Sequence, residues 1–221
     1  MSAGQGGIWA VVPVKPFALA KQRLAPEFAP TFRRRLARAM LCDVLAAVGG
    51  ARTLAGFAVI TADPEAGQLA QHYGGRLLVE QHPAGLNPAV MAAAAVLAAQ
   101  GCAGMLVVPG DIPTVTSAEI DALVALHAAS PAVSLVPAHD GLGTNALLVS
   151  PPQAMNVCFG PLSLSRHRAG ARALGIVPQV HDPARFPGFA RDIDTPGDLR
   201  GFHSPSASSQ TGRLLAAAGC S

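Results

Sequence analysis

Three aspartates in two short motifs have the residue type and spacing of a divalent-cation site. Asp111 follows an apolar run in the motif GDIP, and a single residue separates Asp192 from Asp194. In an extended segment the side chains of Asp192 and Asp194 point to the same side. Neighbouring carboxylates repel unless a cation lies between them, and Mg²⁺ binds one or two carboxylates together with water and substrate phosphates. The sequence therefore predicts an Mg²⁺ site, with a hydrogen-bonded turn or a solvated acidic turn as the alternatives.

Three cations follow the first apolar run within nine residues: Lys15, Lys21 and Arg23. A loop at the end of a strand can wrap around a polyphosphate, where lysine offers a compact charge and arginine a bidentate fork. We interpret this segment as a phosphate-binding loop, and a basic surface loop is the alternative.

A third group combines glycines with hydroxyl side chains. Thr144 follows the sequence Gly-Leu-Gly, and Gly160 and Ser163 belong to the motif FGPLS. Glycine allows a ligand to approach the backbone, and Ser163 is predicted to begin a helix, whose N-terminus attracts anions. Two hairpin-like turns explain these residues equally well.

Apolar runs alternate with helical patterns along the chain, which predicts an α/β fold. The early runs are continuously apolar, as expected where helices cover both faces of a parallel sheet. The predicted strands are Ile8 to Val14, Gly56 to Thr61, Arg76 to Glu80, Met105 to Val108, Ala132 to Pro137 and Asn145 to Ser150. We predict a single-domain, mixed but mostly parallel sheet flanked by helices. Ligands bind such sheets at the carboxyl ends of the strands, where the three groups above are found.

Capping residues predict where several helices begin and end. Helices are predicted from Thr31 to Val48, from Asn87 to about Gln100, from Thr116 onwards and from Ser163 to Leu174. Asn87 is the expected cap of the second helix, and Gly175 is expected to close the last. Thr195 is expected to cap a further short helix with support from Asp198, which makes Asp198 structural.

The composition predicts a folded cytoplasmic protein with neither a nucleic-acid nor a membrane partner. Half of the residues are hydrophobic and 13% are charged, which excludes a disordered chain. The net charge is only +3, and the run Arg33–Arg35 is interpreted as the solvated face of a helix. No signal peptide or membrane span is predicted. The four cysteines are far apart, as in a reducing cytosol, and the seven histidines are dispersed, which argues against zinc.

The predicted boundaries are a flexible N-terminus over residues 1–7, one domain over 8–202 and a disordered tail over 203–221. The tail is predicted from its Ser, Ala and Gly content.

Several motifs occur together in the order strand-K-P-x(4)-K-x-R-L, GLN, GDIP, GTNALL, FGPLS and DIDTPGDL. In this order, from about Ile8 to Leu199, the chain resembles the CofC/FbiD guanylyltransferases of coenzyme F420 biosynthesis. The resemblance implies the nucleotide-diphospho-sugar transferase (GT-A-like) fold. It also implies transfer of GMP from GTP to 2-phospho-L-lactate, phosphoenolpyruvate or 3-phospho-D-glycerate, with release of pyrophosphate.

The same resemblance implies roles for individual residues. The Mg²⁺ ligands would be Asp111, Asp192 and Asp194. The triphosphate would contact Lys15, Lys21 and Arg23, which together with Asp111 form the catalytic group. The phosphorylated acid would be held by Thr144, Gly160 and Ser163. The nucleotide would also contact Gly85, Leu86 and Asn87. The chain departs from the family pattern at Pro88 and Leu162.

The expected partners are GTP and a small phosphorylated acid, and a homodimer is possible. Because the acid's own phosphate is anionic at neutral pH, it can attack the α-phosphorus without a catalytic serine or histidine. Two other interpretations stay open: a molybdopterin or sugar-phosphate nucleotidyltransferase of the same fold, and a nucleotide-binding regulator without catalysis. The first usually carries a glycine-rich segment after the first strand, where this chain has Val-Lys-Pro.

Overall fold

Seven strands form one sheet in the computed structural model, which describes residues 6–80, 84–202 and 209–219. The strands are β1 (Ile8–Pro13), β2 (Leu54–Thr61), β3 (Arg76–Val79), β4 (Gly104–Val107), β5 (Ala132–Pro137), β6 (Thr144–Ser150) and β7 (Gln179–Val180). Their order is β3-β2-β1-β4-β6-β5-β7, and β6 alone runs antiparallel to its neighbours. The predicted mixed, mostly parallel sheet is confirmed.

Helices cover both faces of this sheet. The α-helices of the described chain are α1 (Pro30–Gly50), α2 (Pro64–His72), α3 (Leu86–Ala99), α4 (Ser117–Leu126), α5 (Ser163–Ala173), α6 (Pro187–Ala190), α7 (Pro196–Arg200) and α8 (Gln210–Ala217). Short 3-10 helices span Phe17–Leu19, Gln22–Leu24 and Pro183–Arg185. Helices α3 and α5 pack on one face, and the other α-helices contribute to the core of the opposite face. None of the described helices is long and apolar enough to cross a membrane.

Strand β1 shows why its sequence is apolar without interruption. Its side chains alternate between the two faces, so Val12 packs in the core with α1 and Val11 packs in the core with α3. Both residues are fully buried. A strand covered on both faces has no position where a polar side chain would reach water.

Most predicted helix caps are present, with one error. Thr116 and Glu119 form a reciprocal capping box at α4, and α5 is followed by Gly175 at φ 76°. The cap predicted for α3 is wrong, because the N-cap is Gly85 at φ 107° and Asn87 lies inside the first turn. The Asn87 side chain is engaged elsewhere, with the backbone of Phe159.

The predicted disordered tail is corrected over residues 209–219, which include α8. The carboxylate of Asp43 on α1 accepts hydrogen bonds from Ser209 Oγ and from the backbone N–H groups of Gln210 and Thr211. Leu215 of α8 is 2% exposed and belongs to the core. The helix is therefore stabilised by a carboxylate at its N-terminus and by apolar packing. Residues 1–5, 203–208 and 220–221 lie outside the described residues.

Candidate functional site

A pocket of about 590 Å³ lies at the carboxyl ends of the first four strands, a volume typical of small-molecule sites. Seven residues of the sequence-predicted site line it: Lys15, Lys21, Arg23, Gly85, Leu86, Asp111 and Asp194. These residues come from separate loops, and the parallel strands bring the loops together at one edge of the sheet.

Within the pocket, Lys21 forms an ion-pair cluster with Asp111 and Asp194. Its Nζ is 2.8 Å from Asp111 Oδ2 and 2.7 Å from Asp194 Oδ1. The lysine side chain is 6% exposed, whereas the two carboxylates are 35% and 37% exposed. Burial by itself would lower the pKa of Lys21, but the charges of Asp111 and Asp194 outweigh it and hold the pKa above its usual value. Arg23 lies at the solvent side, 3.4 Å from Asp194.

Backbone contacts bring the two acidic motifs together. The N–H of Ile193 donates to the carbonyl of Asp111 (3.1 Å), and the Ile193 side chain is buried in the core. The N–H of Asp194 donates to Asp198 Oδ2, which is part of the capping box that Asp198 forms with Thr195. Asp198 is therefore structural, as predicted, and it holds Asp194 in its position.

The loop that carries Lys15, Lys21 and Arg23 is held in place from behind by two residues that the sequence analysis did not assign to the site. Lys21 has a left-handed backbone at φ 52°. Behind it, Arg33 Nη1 is 3.4 Å from the carbonyl of Ala20 and 3.5 Å from that of Lys21. Asp63 Oδ2 accepts from the N–H of Phe17 at 2.8 Å.

The interpretation of the arginine run as solvated is therefore wrong for Arg33, which is 8% exposed, although Arg34 and Arg35 are exposed. The reason is that the loop folds over this turn of α1 and covers the first of the three arginines.

Asp192 is less exposed than Asp111 and Asp194 and is not among the residues lining the pocket. Asn145 Nδ2 donates to its Oδ1 at 3.2 Å, and His139 Nδ1 is 3.8 Å away. Burial raises the pKa of Asp192, and the nearby charges of Asp111 and Asp194 raise it further. Asp192 thus shares the electrostatic field of the cluster.

The arrangement of Asp111, Asp192 and Asp194 can be compared with that of an Mg²⁺ site. Hard carboxylate oxygens are suited to Mg²⁺. In the described chain no group of three or more histidine, cysteine or acidic side chains is arranged as a metal site. Instead, the ammonium of Lys21 lies between Asp111 and Asp194 and neutralises them. The donor chemistry fits a cation, and Lys21 supplies the positive charge in this arrangement.

A second group, which we call the neutral network, consists of Asn87, Thr144, Cys158, Phe159 and His167. His167 has no exposed surface; its Nδ1 is 3.1 Å from Thr144 Oγ1, and its Nε2 accepts from the N–H of Cys158 at 2.9 Å. Burial lowers the pKa of His167 to about 4, so the ring is neutral at physiological pH.

Asn87 joins the start of α3 to the FGPLS motif. Its Oδ1 accepts from the N–H of Phe159 at 2.7 Å, and its Nδ2 donates to the carbonyl of the same residue at 3.1 Å. Phe159 lines the pocket, whereas Asn87 does not. The predicted direct contact of Asn87 with a nucleotide therefore stays a prediction, and its observed contact is structural.

The remaining predicted acid-binding residues lie on the turn into α5. Gly160 has φ 123°, which suits only glycine, and Leu162 is left-handed at φ 57°. Ser163 is buried, and its N–H donates to the carbonyl of Gly160. Thr144, Gly160 and Ser163 do not line the pocket directly. Phe159 connects these residues to the pocket, because it lines the pocket, precedes Gly160 in the chain and packs against His167.

Four supporting residues were not assigned to the site by sequence reasoning: Arg33, Asp63, Asn145 and His167. Asp63 followed by Pro64 is a helix-start signal that also predicts α2. Asn145 occurs inside the motif GTNALL and His167 follows FGPLS by four residues, but their partners are distant in sequence.

Solved structures show the same fold at low sequence identity. A putative nucleotide-diphospho-sugar transferase from Desulfovibrio desulfuricans has a TM-score of 0.70 and 15% identity, covering 96% of this chain and 95% of that one. A nucleotidyl transferase from Methanothermobacter has a TM-score of 0.61 and 16% identity, covering 96% and 99%. The predicted nucleotide-diphospho-sugar transferase fold is confirmed.

Sequence relatives are more informative about the family. The chain is 38% identical to a phosphoenolpyruvate guanylyltransferase from Conexibacter woesei over 92% of this chain and 91% of that protein. It is 41% identical to one from Roseiflexus over 87% and 83%. The profile of the family described as "Guanylyl transferase CofC like" matches residues 8–207. The chain therefore belongs to the CofC-like guanylyl transferase family.

Proposed function

We propose that this protein transfers GMP from GTP to phosphoenolpyruvate, with release of pyrophosphate, as a step in coenzyme F420 biosynthesis. The observation that carries the proposal is the ion-pair cluster of Lys21, Asp111 and Asp194 in a nucleotide-sized pocket. Two relatives named phosphoenolpyruvate guanylyltransferase support the choice of acid. The related acids 2-phospho-L-lactate and 3-phospho-D-glycerate carry the same kind of nucleophile and are competing substrates in the test below.

The pocket supplies charge and alignment for this reaction. An oxygen of the acid's phosphate attacks the α-phosphorus of GTP, and the bond from that phosphorus to the β-phosphate oxygen breaks in line. Lys15, Lys21 and Arg23 bind the triphosphate and neutralise the charge that develops on pyrophosphate. The acid's phosphate, with a second pKa near 6, needs no general base at neutral pH.

Asp111, Asp192 and Asp194 would hold Mg²⁺, which when bound supplies further neutralisation of the phosphate charges. In the structure the cation beside Asp111 and Asp194 is the Lys21 ammonium. We propose that Lys21 exchanges these carboxylates for phosphate oxygens when the nucleotide binds. Its left-handed backbone, supported by Arg33, keeps the lysine at this position of the loop.

A pyrophosphate-release assay with Mg²⁺ tests the proposal. GTP, ATP and CTP are each combined with the three acids, and reactions without acid or without Mg²⁺ are the controls. The expected result is release with GTP and phosphoenolpyruvate that exceeds every other pair. Absence of release with every pair would overturn the proposal.

The same assay separates the alternative functions. Release with a sugar phosphate or with molybdopterin in place of the acid would favour another nucleotidyltransferase of this fold. Binding of GTP without turnover of any acid would favour a regulatory protein. The cytoplasmic location and the possible homodimer stay predictions.

A further inference from the structure

His167 is a fully buried histidine whose two ring nitrogens both have partners. The backbone N–H of Cys158 donates to Nε2, and a nitrogen that accepts a hydrogen bond carries no hydrogen. In a neutral ring the hydrogen must then be on Nδ1. The contact between Nδ1 and Thr144 Oγ1 is therefore a hydrogen bond that the histidine donates.

This direction determines what the Thr144 hydroxyl can do. A hydroxyl has one hydrogen, and that hydrogen cannot point at a ring nitrogen that already carries one. The O–H of Thr144 is thus directed away from His167 and is left to donate to another acceptor. In the opposite ring tautomer, Thr144 would donate to His167 and would have no hydrogen left for a ligand.

His167 also acts on the turn before α5. Its bond from Cys158 fixes the backbone next to Phe159, and the two rings meet edge to face with centroids 4.9 Å apart. Phe159 is in turn held by Asn87 and lines the pocket. One buried ring therefore connects the Thr144 hydroxyl to the segment that leads into Gly160.

We propose that His167 is a positioning residue which presents the Thr144 hydroxyl as a hydrogen-bond donor to an anionic oxygen of the phosphorylated acid. This inference rests on the proposed function and on the resemblance that assigns Thr144 to the acid. A neutral donor suits this position because it binds an anion without competing with the cations that bind the triphosphate. The group that the Thr144 hydroxyl would bind is a carboxylate or phosphate oxygen of a small acid.

Two substitutions of His167 each keep one of the two hydrogen bonds that its ring makes and remove the other. In His167→Asn the amide can still donate to Thr144 from a position near that of Nδ1, but it cannot reach Cys158. In His167→Gln the amide oxygen can still accept from Cys158, but the donor to Thr144 is lost. We expect His167→Gln to raise the KM for phosphoenolpyruvate about tenfold, the effect of one charge-assisted hydrogen bond, and to leave the KM for GTP unchanged.

Thr144 variants test whether His167 acts through this hydroxyl. Thr144→Val should raise the KM for the acid by a similar factor, and Thr144→Ser should stay close to wild type. In a Thr144→Val background, His167→Gln should have no further effect on this KM, which a double-mutant cycle measures. An equal effect of His167→Gln in both backgrounds, or an unchanged KM in Thr144→Val, would refute the proposal.

A spectroscopic measurement on the wild-type protein, which needs no turnover, tests the proposal even if the variants fail to fold. The ¹⁵N shifts of the His167 ring in the wild-type protein at neutral pH should identify a neutral ring with its hydrogen on Nδ1. A hydrogen on Nε2 would refute the proposal whether or not the protein is active. If the wild type releases no pyrophosphate with any acid, the proposed function fails, while the ring assignment is still decided by the spectrum.

Discussion

The ion-pair cluster and the neutral network are built in opposite ways. Lys21, Asp111 and Asp194 are charged, and their carboxylates are about one-third exposed. Thr144 and His167 are buried, and their contact involves no formal charge. Charges near water can exchange one partner for another at modest cost, whereas a buried polar group that loses its partner is strongly destabilised. The ion-pair cluster can therefore change partners when a ligand binds, whereas the neutral network stays fixed.

The largest expected effect is on the charged side. Asp111→Asn and Asp194→Asn should each lower kcat about 10²- to 10³-fold, because each removes a proposed ligand of the Mg²⁺ that would neutralise the reacting phosphates. Stability should change by no more than about 1 kcal/mol, since Lys21 keeps one carboxylate in each variant. Pyrophosphate release and urea denaturation measure the two quantities.

Asp182→Asn is the matched control for these variants. Asp182 is exposed and caps the 3-10 helix Pro183–Arg185 away from the pocket, so this variant should keep wild-type turnover. Full activity in both pocket variants would show that the ion-pair cluster is not part of the catalytic machinery.

On the neutral side, the expected effect is on stability and depends on pH. Burial lowers the pKa of His167 from 6.5 to about 4 in the folded protein. The stabilisation from the neutral ring is fully present above pH 6.5 and is lost as the pH falls through the folded pKa. The loss amounts to about 3 kcal/mol.

This loss can be measured by urea denaturation between pH 7 and pH 4. His167→Asn has no ring to protonate and should show a shallower fall of the unfolding free energy over this range. His72→Asn, a replacement at an exposed position of α2, is the control and should keep the wild-type slope. Parallel slopes in the wild type and in His167→Asn would contradict the assignment.

A smaller effect tests whether the charged side exchanges cations. Lys21→Met removes the ammonium between Asp111 and Asp194, so Mg²⁺ alone should then raise the melting temperature more than it does in the wild type. A difference equivalent to about 1 kcal/mol is expected from mass action. Lys15→Met removes the same charge from the same pocket but leaves both ion pairs of Lys21 intact, and it should respond like the wild type. Equal Mg²⁺ responses in all three proteins would argue against exchange.

The smallest expected effect concerns the turn before α5. Leu162 is left-handed at φ 57°, a conformation that costs a non-glycine residue about 1 kcal/mol. Leu162→Gly should therefore stabilise the protein by up to about 1 kcal/mol. Gly160→Ala should do the opposite at φ 123°, although its new methyl group would meet no atom within 4 Å. Thermal denaturation checks both, and a destabilised Leu162→Gly would contradict this interpretation.

Sequence reasoning predicted the fold well because the signals for the fold are local. The strand β5 was predicted with its observed bounds, and the capping boxes at Thr116 and Thr195 were identified from residues three positions apart. The helix α8 was missed although Ser209 caps it locally, because the carboxylate that holds its N-terminus, Asp43, belongs to another element. The burial of Arg33 was missed because the loop before α1 folds back over it, and no local pattern predicts the path of that loop.

The sequence by itself determined the alternation of strands and helices and the presence of three groups of reactive residues at strand ends. Local apolar runs, capping residues and the alternation of side chains are sufficient for that. Only the tertiary structure decided that Lys21 lies between Asp111 and Asp194, which are 90 and 173 positions away. It also decided that His167 donates to Thr144, because the direction of that bond depends on the backbone of Cys158. Contacts of this kind depend on how the elements pack, and no local pattern in the sequence records them.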